Sequence, residues 1–122
     1  MKLSKNFSLS EFLASDTADR RGISNTPKRE HLVALAALST MIMQPIREYY
    51  NKGVIITSGY RSEQLNSAIG GSSTSQHSLG EATDFTVQGE DVYNTCKWIV
   101  EESGLDFDQI IYEVRGRSEE HV

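Results

Sequence analysis

Cysteine is almost absent from this chain: Cys96 stands alone among 122 residues, so no intrachain disulfide can form and no thiolate cluster can hold a metal ion. A lone cysteine in a helical pattern reads as a small buried hydrophobe. No apolar run approaches the roughly 18 residues that a membrane span needs, and residues 1–6 lack the apolar stretch of a signal peptide. Positive charge is also scarce. Twelve Lys and Arg against seventeen Asp and Glu leave a formal net charge of −5, which argues against a nucleic-acid partner, because phosphate binding runs on clustered cations. Proline occurs only at positions 27 and 45, too seldom for an extended or low-complexity chain. What remains is 38% hydrophobic and 24% charged residues, the make-up of an ordinary globule. At this length it forms one domain with one core.

Read in order, Ser8-Leu9-Ser10-Glu11 has the form of a capping box, predicting a short helix from Leu9 to about Ser15 with Phe12 and Leu13 inward. Residues 16–25 carry no period and read as an irregular surface connection. Thr26-Pro27 opens a second helix. Its stripe of Leu32, Leu35, Ile42, Ile46 and Tyr49 runs to about Tyr50, with a kink near Met41 imposed by Pro45. His31 on this helix reads as solvated. Val54-Ile55-Ile56-Thr57-Ser58 is continuous and β-branched, as a buried central strand would be. Ser62 caps a helix containing Leu65, Ala68 and Ile69. Thr83-Asp84-Phe85-Thr86-Val87 alternates, putting Asp84 and Thr86 on one face of a strand and Phe85 and Val87 on the other. Asp91 caps a helix with Val92, Cys96, Ile99 and Val100 inward, and residues 108–114 form a third strand on which Gln109, Ile111 and Glu113 share a face. The elements amount to an α+β fold.

Chemistry concentrates in Ser75-Gln76-His77-Ser78-Leu79-Gly80-Glu81-Ala82-Thr83-Asp84. Imidazole and carboxylate are ligand types that zinc prefers, and a catalytic zinc site needs three protein ligands and one open position. His77 and Asp84 supply two of them. Gly80 allows the turn between them, and Ala82 keeps an inward strand position small. Arg61, at a strand end, carries a guanidinium suited to bidentate recognition of a carboxylate. The polar run from Gly70 to Gln76 leads into His77 and reads as one wall of a cleft.

The pattern S-x-H-x-x-G-x-A-x-D resembles that of the zinc D-Ala-D-Ala carboxypeptidases and murein endopeptidases, peptidase family M15, whose fold hedgehog signalling domains share. At roughly 5–8% usage for common residues, five such fixed positions coincide by chance on the order of once in a million starts. The resemblance extends in order through Asn6–Phe12, Thr17-Ala18-x-Arg20-x-Gly22-Ile23-x-Asn25-Thr26-Pro27, Thr57–Ser62, Leu65–Ser72 and Phe107–Glu113, similar to the small single-domain branch found in bacteria and phages. It implies a small, mainly antiparallel sheet bearing the site, with helices packed on the other face. It also implies Zn2+ as cofactor, held by His77 and Asp84, and hydrolysis of peptidoglycan stem peptides with Glu113 as general base. Arg61, Ser75 and Gln109 would contact substrate. The absence of a signal peptide implies a cytoplasmic product that reaches the wall by phage-type release or another route.

The family's third ligand is the His of a W-x-H-x-S segment on the strand after the one bearing the Glu. Here residues 117–122 read Arg-Ser-Glu-Glu-His-Val, with no Trp two places before His121. Two expectations stay open: that a domain of residues 1–122 lacks its last strand, which is favoured, or that His121 is a displaced ligand. A wall-binding or interaction domain that keeps the fold without catalysis is the alternative function. The residues do not decide between carboxypeptidase and endopeptidase action, nor the oligomeric state.

Overall fold

The computed structural model describes residues 1–72, 74–105, 111–114 and 118–121, the last two stretches as backbone only. Among the described residues six strands and six α-helices follow in the order β1 (Lys2–Ser4), β2 (Phe7–Ser8), α1 (Leu9–Leu13), α2 (Asp16–Arg21), α3 (Arg29–Leu38), α4 (Gln44–Tyr50), β3 (Val54–Ser58), α5 (Glu63–Ala68), β4 (Asp84–Val87), α6 (Val92–Glu101), β5 (Ile111–Val114) and β6 (Ser118–His121). The fold is α+β, with two small antiparallel sheets. One is the β1–β2 ribbon; the other has the strand order β3-β4-β6-β5.

Helix boundaries follow local chemistry. In α1 the Glu11 carboxylate accepts from Ser8 N at 2.6 Å, the return half of the expected capping box. The segment read as irregular contains α2. Ser15 Oγ accepts from Ala18 N at 3.2 Å, and Gly22 ends the helix in the left-handed region at φ +64°. Serine before and glycine after a six-residue span were the signal for it, and mixed charge without an apolar period hid them. The long helix starts at Arg29 rather than at Pro27, with Lys28 extended as its N-cap. The segment before Pro45 departs from α-helical geometry. Ser39–Met43 form a π-helical turn between α3 and α4, a local widening that accommodates the missing amide donor.

The core lies between the large sheet and α1, α3, α4 and α6, around Phe7, Phe12, Leu35, Met43, Ile46, Phe85 and Ile99. Strand β4 alternates as expected, Phe85 and Val87 buried and Asp84 and Thr86 half-buried on the opposite face. In α6, Val92, Cys96 and Ile99 are buried, but Val100 is exposed and Thr95 takes an inward position. Strand β3 is a correction. It lies at the edge of the described sheet, and Ile55 is 48% exposed. A β-branched run reports fit to a pleated surface, and an edge position satisfies that as well as a central one.

Register places the site. Asp84 pairs with Ser58 of β3 on one side and with His121 of β6 on the other, and His121 pairs with Ile111 of β5. Residues directly opposite in antiparallel strands share a face. Asp84, His121 and Ile111 therefore form one row across three strands, on the face away from Phe85 and Val87. Glu113 pairs with Glu119, the next row on that face, about 7 Å along the strands. A register shift between Ile56 and Ser58 bends β3 where it meets this row.

Candidate metal centre

His77 is delivered by a 3-10 turn, Gln76–Leu79, whose N-cap is Ser75. Ser75 Oγ accepts from His77 N at 3.2 Å, so the serine expected at the substrate end of the site shapes the turn that carries the histidine. Gly80 closes the turn at φ +75°, and a Cβ there would stand 2.7 Å from the His31 carbonyl oxygen on α3. Both the backbone conformation and the contact with α3 require glycine. Ala82 and Thr83 are fully buried where the chain enters β4. The imidazole of His31, expected in solvent, is half-buried against the Tyr60 ring at a centroid distance of 5.1 Å.

The His77 ring is buried and held from both sides. Nδ1 lies 2.7 Å from the Gly59 carbonyl oxygen, an acceptor only, so Nδ1 donates there and a neutral ring presents its acceptor nitrogen, Nε2, on the other side. Nε2 lies 3.6 Å from Asp84 Oδ1. Two ligands each about 2.0–2.2 Å from a tetrahedral zinc ion stand about 3.4 Å apart. The pair thus has the spacing of two donors to one ion, with the tautomer already set by a carbonyl behind the ring, as metal-bound histidines commonly are. Arg61 Nη2 lies 3.7 Å from the other Asp84 oxygen, Oδ2, and Arg61 Nε donates to Ser58 Oγ at 3.3 Å. Arg61 and Asp84 are both largely buried, with side chains 20% and 15% exposed. This keeps the guanidinium beside the candidate metal position.

Backbone bonds lock these parts together. Tyr60 N donates to the Phe12 carbonyl at 2.7 Å and Arg61 N to the His77 carbonyl at 3.1 Å. Asn25, which no periodicity singles out, clips the turn after β3. Its Nδ2 donates to the carbonyls of Leu13 and Tyr60, and its Oδ1 accepts from Ser62 N at 2.7 Å. Burial, reinforced by the Glu63 carboxylate, holds the Tyr60 hydroxyl above the ordinary phenol range. The proton is thus held more tightly in the folded protein. The stability this confers is present below the unfolded phenol value of about 10 and is lost as pH rises through the higher folded value.

Of the residues expected at the site, the structure brings together His77, Asp84 and Arg61, with Ser75 in the supporting turn. Glu113 and His121 are placed by backbone register on the Asp84 face. Gln109 lies outside the described residues. Among the described residues no group of three His, Cys, Asp or Glu side chains forms a metal site, and no helix is long and apolar enough to cross a membrane.

A family model described as Peptidase M15 matches residues 5–115. No curated protein and no solved structure matches the chain.

Proposed function

The chain belongs to the peptidase M15 family, and from that premise we propose that it is a zinc-dependent peptidase hydrolysing amide bonds in peptidoglycan stem peptides. The observation that carries the reading is the 3.6 Å approach of His77 Nε2 to Asp84 Oδ1 with Nδ1 tied back to Gly59. A histidine that only fills a core has no need of a carboxylate in front of its second ring nitrogen. His77, Asp84 and His121 would hold the ion, His121 assigned on its register opposite Asp84. Zinc, when bound, supplies Lewis acidity toward the scissile carbonyl and toward water.

The remaining steps belong to side chains. Glu113 is the general base, taking a proton from the attacking water and returning it to the leaving amine nitrogen. Its row on the sheet lies next to that of Asp84 and His121, on the same face. Arg61 orients substrate through a carboxylate. Its guanidinium has five N–H donors, and the contacts to Asp84 and Ser58 leave others for a ligand. Ser75 and Gln109 are assigned to the substrate side as well, Ser75 also keeping the His77 turn in place.

The test is amine release from purified peptidoglycan by the full chain, before and after dialysis against a chelator and after zinc is restored. Release that is lost with the metal and regained with zinc is the expected result. Release that survives chelation overturns zinc dependence, and zinc binding without release leaves a wall-binding domain.

A further inference from the structure

The structure contains an open cavity of ≈ 240 Å³, lined by residues that include Ser15, Asp16, Ser58, Arg61, Leu65 and Ile69, and it connects to the His77–Asp84 pair through Arg61, 3.7 Å from Asp84, and Ser58, the strand partner of Asp84. Ligand pockets for drug-sized molecules run from about 300 to 1,000 Å³, so this one suits a single amino-acid residue rather than a sugar chain. Its charges are of opposite sign and come from different elements: Arg61 from the turn after β3, Asp16 from the start of α2. Arg61 is tied to the metal-site carboxylate, whereas Asp16 is exposed and has no cation paired with it among the described residues. Leu65 and Ile69 add apolar wall.

Resting on the hydrolase reading above, we propose that this cavity receives the leaving residue of the substrate and selects a diamino acid there. Arg61 takes the residue's carboxylate, Leu65 and Ile69 pack its methylene stem, and Asp16 takes its side-chain ammonium. The charge assigned to Asp16 has to be on the side chain. Until the amide is cut, the leaving residue's α-nitrogen is acylated and uncharged, so an anion in the cavity can distinguish substrates only by a second amine. Specificity of this kind comes from an otherwise unpaired charge. Asp16 is a specificity residue in this scheme and takes no part in bond cleavage.

Calorimetric binding of Nα-acetyl-lysine and Nα-acetyl-norleucine to the full chain, in both enantiomers, tests this without requiring turnover. The two probes share the acylated α-nitrogen, the carboxylate and the stem, and differ at the terminal ammonium. The wild-type protein is expected to bind one enantiomer of the lysine probe at least about five-fold tighter than its norleucine counterpart. Asp16→Asn should equalise the two, Asp16→Glu should retain the preference, and Asp16→Lys should invert it. Equal affinities in the wild type, no binding of either probe, or a preference that survives in folded Asp16→Asn would each overturn the inference. The wild-type comparison decides even if a variant fails to fold. Amine release from peptidoglycan without a lysine preference sinks the diamino-acid assignment and leaves the peptidase standing. A lysine preference that depends on Asp16, without any release, does the reverse.

Discussion

Glu113→Gln is expected to lower hydrolysis by roughly 10²–10⁴-fold while zinc content stays that of the wild type. Glutamine keeps the shape and the hydrogen-bonding reach of glutamate but cannot accept a proton from water at neutral pH. The assignment rests on position. Glu113 lies one row from the His121–Asp84 pair, on the face that turns away from Phe85 and Val87. Parallel measurements of amine release and of bound metal separate the base from a ligand, since loss of both together would mean that Glu113 holds the ion. Retained turnover would move the base to Glu119 or Glu120. Register favours Glu119, which pairs with Glu113, over Glu120, which pairs with Phe85 and so falls on the core face.

A single methyl group at Gly59 should damage both the fold and the metal site. The added Cβ would stand 2.5 Å from the Phe12 carbonyl oxygen and 2.8 Å from its Cα. Those atoms are backbone of a packed helix and cannot rotate aside. The same carbonyl accepts from Tyr60 N, and Gly59's own carbonyl accepts from His77 Nδ1. Relief of the clash therefore displaces α1, the turn carrying Arg61, or the His77 anchor. Overpacking of this kind costs about 3 kcal/mol, which for a domain of this size lowers Tm by about 10 °C. Zinc affinity should fall by about 10–100-fold, as it does when a partner of a metal-bound histidine is disturbed. Thermal unfolding and a competitive zinc titration of Gly59→Ala measure the two effects. Unchanged values for both would mean that Gly59 is not the anchor its geometry indicates.

How much of this was legible in the sequence depends on the range over which each feature is determined. Capped helices were readable because Ser8 with Glu11, Ser62 and Asp91 act across three residues. The alternation of β4 was readable because Phe85 and Val87 must be buried, and it placed Asp84 on the correct face. The convergence of His77 and Asp84 could be anticipated from motif spacing and family resemblance, which spans most of the chain, whereas the contact of Arg61 with Asp84 could not. Other features depend on contacts between distant segments. Helix α2 carries its signal only at Ser15 and Gly22. The edge position of β3 is set by partners downstream in sequence. The anchoring of His77 by a backbone carbonyl leaves no side-chain trace, beyond a glycine at 59 that lets α1 come close. Asn25 joins α1 to the turn after β3 across 35 residues, and local reading has no access to such a clip. The placement of His121 belongs to the same class. A histidine without the family's tryptophan before it is ambiguous as text, whereas strand register sets it opposite Asp84.

The central claim, that one zinc ion is gripped by the imidazole of His77, the carboxylate of Asp84 and the imidazole of His121, is tested most directly by metal analysis. Protein equilibrated with zinc and freed of excess would be compared as wild type and as the His77→Ala, Asp84→Ala and His121→Ala variants, each checked for folding by circular dichroism. The account predicts equimolar zinc in the wild type and its loss in all three folded variants. Wild-type stoichiometry retained in folded His121→Ala would remove that residue from the site, and retention in folded His77→Ala or Asp84→Ala would contradict the account itself.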